Sequence, residues 1–280
     1  MVNKLIQILQ KIGFLNVIIR ALWKLGLLKI AIRAYEKMKA IDFPNSRRQF
    51  LKTQTADLPI PPSYLIVLVA STPDIGWFLN SGKSTFQAIR SILQKNNVRV
   101  ENLQTVLEFG CGCGRVLRYW HSVQGPEIHG VDYNAKLIAW CQQNLPFAKF
   151  NTNNLYPPLP YPDRMFDCVY AFSVFTHMSE ELQFLWMNEL ARILKPGGYL
   201  LLSTHGKNYW EKLTKKEQEE FNAGHLVVRY EKASGTSLCA AFHPETYVRE
   251  RLTMGYSIKG FAPAGTHKVV HQDLYLMRKD

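Results

Sequence analysis

The chain contains no uninterrupted run of about 18 apolar residues, the length that a membrane-spanning helix requires. It also lacks the short apolar core and small-residue cleavage site of a secretory signal. Its five cysteines are an odd number without the spacing of a disulfide framework. These absences argue against a membrane-spanning or disulfide-stapled protein, and we expect a reduced, cytoplasmic setting.

Acidic residues are scarce relative to basic ones, and the formal net charge is +12. Residues 1–40 hold eight Lys and Arg against one acid, Glu36, which is a net of +7 and leaves +5 for the other 240 residues. Those 240 residues lack a basic stripe interleaved with aromatic side chains, the pattern typical of nucleic-acid surfaces. The charge therefore does not predict a nucleic-acid partner.

Residues 1–45 predict a basic amphipathic helical extension, divided into short helices at Gly13 and Gly26. Two interpretations of this segment stay open. Residues 1–40 form a peripheral contact with an anionic membrane surface or a partner protein, or they pack on the main domain or across a homodimer. Vesicle sedimentation of the chain with and without these residues would separate the two.

Residues 46–98 predict a linker followed by a helical lid. The linker is rich in proline and other turn formers. From Asp74 to Leu93 the apolar residues recur at helical spacing, with Trp77 and Phe78 available for packing. We expect this helix to lie over a ligand pocket.

The most informative pattern is VLEFGCGCGRVLRYW, residues 106–120, in which three glycines at alternate positions separate two apolar segments. It predicts a strand, a tight loop and a helix, because glycine permits positive φ and lets the backbone approach a ligand closely. A dinucleotide fingerprint would need another glycine where Arg115 stands. In addition, the carboxylate of Glu108 would repel a diphosphate and attract an ammonium group.

From residue 103 onward, apolar strand candidates alternate with helical patterns, which predicts an α/β fold with a parallel sheet covered by helices on both faces. The predicted strands are residues 105–109, 127–131, 148–151, 166–171, 199–203, 257–261 and 273–277. The predicted helices are residues 115–122, 135–144, 180–194 and 244–254.

The run E-F-G-C-G-C-G resembles the first motif of the class I S-adenosylmethionine (SAM)-dependent methyltransferases of small-molecule type. Leu159-Pro160-Tyr161 before Phe166-Asp167, and the run LKPGGYLLLS at 194–203, resemble further motifs of that family. The resemblance implies a Rossmann-like, mostly parallel seven-stranded sheet of order 3-2-1-4-5-7-6. It places the methyltransferase domain at residues 99–280, with a substrate-cap insertion at 206–243, and it implies SAM as the cofactor.

The predicted cofactor site combines the glycine loop with residues at the following strand ends. Asp132, 18 positions beyond Gly114, can accept both ribose hydroxyl protons. The resemblance implies that Tyr133 lies against the adenine and that an asparagine replaces the family's usual aspartate near the adenine amino group. The full set is Glu108, Gly110, Cys111, Gly112, Gly114, Asp132, Tyr133, Asn153, Asn154 and Ala171.

Methyl transfer to a hydroxyl benefits from a general base, and the leading candidates are His177 after the fourth strand and His205 after the fifth. His225 and His243, between the fifth strand and the last helix, are the lower-ranked candidates. Cys111 and Cys113 have poor spacing for a metal site, so no metal is expected. From their position in the cap, four residues are predicted to contact the substrate: Arg229, Tyr230, Thr236 and His243.

We therefore predict a SAM-dependent methyltransferase that acts on oxygen or nitrogen of a small-molecule acceptor. The stretches GTSLCAAFHPETYV and HQDLYLM resemble those of enzymes of glycan or secondary-metabolite assembly, which implies a sugar-like or secondary-metabolite acceptor. The alternative is a non-catalytic adaptor that binds SAM or S-adenosylhomocysteine (SAH) and is anchored through its N-terminal helices.

Overall fold

The computed structural model describes residues 57–264 and 271–280, together with residues 21–22, 24–27, 30–31 and 34. The predictions for residues 1–45 and for the start of the linker fall mostly outside this part of the chain. They stay predictions, as do the domain boundaries and the cytoplasmic location. Within the described ranges, every helix is too short or too polar to cross a membrane.

One seven-stranded sheet forms the centre of the fold, in the order β3-β2-β1-β4-β5-β9-β8. Strands β1 to β5 run parallel, and β9 runs antiparallel to both of its neighbours. The predicted order 3-2-1-4-5-7-6 is confirmed once the two strands of a separate small sheet, β6 and β7, are left out of the count. The strands are β1 Thr105–Phe109, β2 Glu127–Asp132, β3 Ala148–Thr152, β4 Phe166–Ala171, β5 Leu194–Thr204, β6 Val227–Arg229, β7 Ala240–Phe242, β8 Tyr256–Ala262 and β9 Asp273–Lys279.

Four of the described α-helices begin where a side chain caps a free N–H group. Asp74 accepts a hydrogen bond from the backbone N–H of Trp77, and Ser179 accepts one from that of Leu182. Six α-helices lie between residues 57 and 264: α1 Ser63–Ala70, α2 Ile75–Lys95, α3 Ala135–Asn144, α4 Glu180–Ile193, α5 Lys215–Asn222 and α6 Glu245–Tyr247. The 3-10 helices are Val100–Asn102, Leu117–Ser122, Phe175–His177, Lys207–Lys212 and Glu231–Ala233.

Three predicted elements differ from the structure. The α-helix predicted over 115–122 is a 3-10 helix that begins at Leu117, because the turns of the glycine loop extend through Val116. The helix predicted over 244–254 is one α turn followed by a π-helix, Val248–Leu252. The last predicted parallel strand begins five residues early, because Leu194 pairs with Phe166 across an irregularity in the β4–β5 register.

Residues of β1 alternate between two cores, as a sheet covered on both faces requires. Leu107 and Phe109 pack with α4, where the ring centroid of Trp186 lies 4.4 Å from that of Phe109. Val106 packs on the other face with Ile89 and other residues of α2. Both cores end at the carboxyl edge of the parallel strands, where the glycine loop follows β1.

Helices α1 and α2 lie directly against the glycine loop. A Cβ on Gly82 would overlap the carbonyl oxygen of Arg115, so only glycine lets α2 approach this closely. Val69 of α1 occupies the space beside Gly112, and Phe78 shares a small core with Cys113 of the loop. The predicted helical segment at 74–93 therefore packs on the glycine loop, and Trp77 at its start lines the cavity described below.

Candidate functional site

A cavity of about 1100 Å³ opens at the carboxyl ends of β1, β2 and β4. Its walls come from the glycine loop, the turn between β2 and α3, residues 153–155, residues 172–178 and the first two helices. Trp186, residues 235–237 of the cap, and Ile30 and Ala34 near the N-terminus complete the lining. Ligands of open parallel sheets bind at this edge. The cavity is therefore the candidate functional site.

The glycine loop has the backbone geometry that the sequence predicted. Gly110, Gly112 and Gly114 have φ values of +75°, +56° and +74°, where side chains other than glycine are strained. The space beside each glycine is filled by protein atoms, from Val174, Val69 and Leu145 in the same order. Glycine thus permits the positive φ values, as predicted, and it also lets three other elements pack against the loop.

Asp132 joins the glycine loop to the turn after β2. Its Oδ2 accepts a hydrogen bond from the N–H of Gly112 at 2.9 Å, and its Oδ1 accepts one from the N–H of Asn134 at 2.8 Å. Burial raises the pKa of this carboxyl to about 6, although both hydrogen bonds oppose the rise. Each oxygen keeps acceptor capacity for a ligand hydroxyl.

Glu108 is the second buried carboxyl in the cavity wall. Its Oε2 accepts a hydrogen bond from the Tyr170 hydroxyl at 3.0 Å. Burial raises its pKa to about 8, against the opposing effect of the Arg115 charge. The Arg115 guanidinium donates to Ser81 Oγ at 3.3 Å and lies 5.9 Å from the ring centroid of Trp77. The wall of the cavity thus holds two carboxyls and one cation close together.

Asn153 presents an unused acceptor beside the cavity. Its Nδ2 donates to the Asn154 carbonyl at 2.6 Å, while its buried Oδ1 has no hydrogen-bond partner within the described part of the chain. Buried amide oxygens are seldom left unpaired, so this atom indicates a ligand donor. Tyr133 and Asn154 line the same cavity, so all three predicted adenine contacts belong to its wall.

His177 lines the cavity from the 3-10 helix that follows β4. Its Nδ1 lies 2.7 Å from the Cys239 carbonyl, which can only accept, so Nδ1 carries the proton and Nε2 keeps a free lone pair. Burial lowers the pKa of this imidazole, so the ring is neutral near pH 7. A neutral ring with a free Nε2 has the form that a general base requires.

His205, the other predicted base, lies outside the cavity wall. Its ring centroid is 6.4 Å from that of His177 and 4.1 Å from that of Tyr209. Burial lowers its pKa to about 3, so the ring stays uncharged at neutral pH. Its position gives it contact with His177 and not with the cavity.

Most of the predicted site residues meet in the cavity, but some do not. Gly114 faces Leu145, and Ala171 is fully buried in the core beneath the wall. Of the four cap residues, only Thr236 lines the cavity. Arg229 is occupied by an ion pair with Glu217 at 2.6 Å, and His243 donates to the Gln183 side chain at 3.0 Å. The structure gives Arg229 and His243 structural partners, and Tyr230 also lies outside the wall.

The sequence interpretation missed several residues of the wall. Val69, Met178 and Trp186 line the cavity, yet each has the apolar helical or loop setting of an ordinary core residue. Arg115 was interpreted only as a departure from the dinucleotide fingerprint, although it also lines the cavity. No local motif distinguishes these residues, because their role depends on contacts with distant parts of the chain.

Comparison with known proteins points to one family. Residues 107–202 match the family model described as "Methyltransferase domain". A probable S-adenosylmethionine-dependent methyltransferase of Mycolicibacterium smegmatis is 35% identical over 99 residues, which are 35% of this chain and 37% of that protein. A fatty-acid O-methyltransferase of the same organism is 32% identical over 114 residues, 38% of this chain and 40% of that protein. The matched region spans about two fifths of these relatives.

The fold has a counterpart among solved structures. The crystal structure of magnesium protoporphyrin IX methyltransferase from Synechocystis PCC 6803, with bound SAH, superposes with a TM-score of 0.53 at 19% identity. The superposition covers 90% of this chain and 100% of that one. At this level of identity the likeness concerns the fold alone.

Proposed function

The chain carries a class I SAM-dependent methyltransferase domain, and on that premise we propose that it methylates an oxygen or nitrogen atom of a small-molecule acceptor. The observation that carries the proposal is a single cavity that combines two buried carboxyls, Glu108 and Asp132, with the oriented imidazole of His177. The sugar-like or secondary-metabolite class of acceptor stays a prediction.

The residues of the cavity fit the parts of SAM one by one. Asp132 offers acceptor oxygens for the two ribose hydroxyls, and the free Oδ1 of Asn153 suits the adenine amino group. Glu108, once ionised, suits the ammonium group. SAM supplies a methyl group that is already activated by its sulfonium, so the protein has mainly to align the acceptor with it.

His177 would act on the acceptor. Its Nε2 can take a hydroxyl or amine proton as the methyl group is transferred, while the Cys239 carbonyl holds Nδ1 and keeps the ring in place. The cap segment that holds His177 also contributes Gly235 and Thr236 to the wall.

Isothermal titration with SAH tests the proposal. We expect one SAH to bind per chain and no heat from NAD, because Arg115 stands where a dinucleotide-binding loop needs a further glycine. Folded protein that binds NAD, or that does not bind SAH, would contradict the assignment. SAM with a labelled methyl group, incubated with an extract from the source organism, would then identify the acceptor by mass spectrometry.

We expect the affinity for SAM to increase as the pH rises from about 5.5 to 8.5. Asp132 and Glu108, with pKa values of about 6 and about 8, are neutral below those values and become anionic above them. A cationic ligand favours the ionised forms, and one titrating group can change affinity by up to about tenfold per pH unit. Glu108→Gln should remove the rise above pH 7, whereas a pH-independent affinity of the unchanged protein would count against this site.

A further inference from the structure

Three polar residues, Ser173, Ser203 and Gln272, form a closed ring of hydrogen bonds at the cavity wall. The N–H of Ser173 donates to Ser203 Oγ at 2.8 Å, and Ser203 Oγ donates to Gln272 Oε1 at 2.6 Å. Gln272 Nε2 donates back to Ser173 Oγ at 2.8 Å. The ring therefore joins the end of β4, the interior of β5 and the residue before β9.

Ser173 needs such a ring because its backbone is strained. Its φ is +57°, in the left-handed region that glycine adopts freely and that serine seldom occupies. Strained backbone persists only where surrounding contacts determine it. Here the ring bonds both the N–H and the side-chain oxygen of Ser173.

The direction of the chain at Ser173 decides where two parts of the site lie. The next residue, Val174, fills the space beside Gly110 of the loop, and both Ser173 and Val174 line the cavity. The 3-10 helix that carries His177 begins one residue later, at Phe175. A change of backbone conformation at Ser173 would move the wall of the glycine loop and His177 together.

Gln272 also connects this wall to the cap. Its side chain lies near the Tyr209 phenol. The Tyr209 ring lies on His205, whose ring faces that of His177. One amide, outside the cavity wall itself, thus bonds the strained loop and the sheet and lies near the cap.

We propose that Gln272 is a positioning residue, which holds Ser173 in its left-handed conformation and thereby sets the methionine end of the cavity. The inference rests on the proposed function, since it assigns the wall beside Gly110 to the methyl donor. It does not require that Gln272 touch SAM or the acceptor.

The test compares three variants by titration with SAH and by hydrogen exchange. We expect Gln272→Ala to weaken SAH binding about tenfold, the effect of losing one to two buried hydrogen bonds, and to speed exchange in residues 172–178. Adding Ser173→Gly to Gln272→Ala should restore SAH affinity to within about twofold, because glycine reaches φ +57° without strain. If Gln272 only stabilised the fold as a whole, adding Ser173→Gly would not restore SAH affinity.

Gln218→Ala is the matched control, because Gln218 donates to the carbonyls of Trp210 and Leu213 in the cap, away from the cavity. It should leave SAH affinity unchanged. Unchanged SAH affinity in Gln272→Ala, or a double variant that binds no better than Gln272→Ala, overturns the proposal. If the unchanged protein fails to bind SAH, the proposed function alone is refuted. Hydrogen exchange in residues 172–178 then decides the role of Gln272. Faster exchange in Gln272→Ala supports the positioning role, and equal exchange refutes it.

Discussion

Asp132→Ala is expected to weaken SAH binding about 100-fold, or about 2.7 kcal/mol. The substitution removes two acceptors for the ribose hydroxyls and also the bonds that tie Gly112 and Asn134 together. Hydrogen bonds to a charged partner contribute about 1.5–3 kcal/mol each. Removal of this carboxyl should therefore weaken SAH binding more than removal of any other single polar group in the cavity. Isothermal titration gives the change directly.

Two further variants separate binding from folding. Asp132→Asn keeps the shape and one acceptor oxygen, so we expect an intermediate loss of about tenfold. Asp163→Ala removes a highly exposed aspartate that pairs with Arg192 on the surface, and it should not alter SAH affinity. The ribose assignment would be refuted if Asp132→Ala kept the free energy of unfolding of the unchanged chain and its SAH affinity stayed within threefold.

His177→Gln is expected to lower the rate of methyl transfer about 100-fold while leaving the SAH dissociation constant within twofold. Glutamine can still reach the Cys239 carbonyl but offers no basic nitrogen, and a general base commonly contributes 10²- to 10⁴-fold. The measurement is the initial rate of label transfer from SAM to the identified acceptor. At saturating SAM, this rate should rise with pH through the lowered pKa of His177 and level off above about pH 6.5.

The control for His177→Gln is His225→Gln, in an exposed histidine that pairs with Glu220 far from the wall. Its rate should match that of the unchanged protein. An undiminished rate in His177→Gln would mean that alignment alone drives the transfer. If SAH binds but no component of the extract takes up label, the non-catalytic adaptor becomes the better description.

Elements defined by local chemistry were predicted from the sequence almost to the residue. The strand Phe166–Ala171 and the helix Ala135–Asn144 have the predicted bounds, because each is an apolar or helix-periodic run between turn formers. The segment after the glycine loop differs because consecutive glycine turns delay its start. The start of β5 differs because strand pairing extends it back to Leu194.

The predicted cofactor half of the site could also be located from the sequence. The glycine loop and Asp132 lie at neighbouring strand ends, and the parallel order of the sheet brings them together at one edge. The predicted acceptor half of the site was harder to locate from the sequence. His177 and His205 both follow strands, and only the fold directs His177 into the wall and places His205 behind it.

By itself, the sequence determined the α/β class, since this depends on periodicity and on short-range backbone requirements. Its resemblance to a known family implied the sheet order and the residues predicted to surround the methyl donor. Only the tertiary structure decided which histidine has an oriented, free Nε2 and which residues support the strained Ser173. The physical reason is distance along the chain. The Cys239 carbonyl lies 62 residues from His177 and Gln272 lies 99 residues from Ser173, so no local pattern records either hydrogen bond.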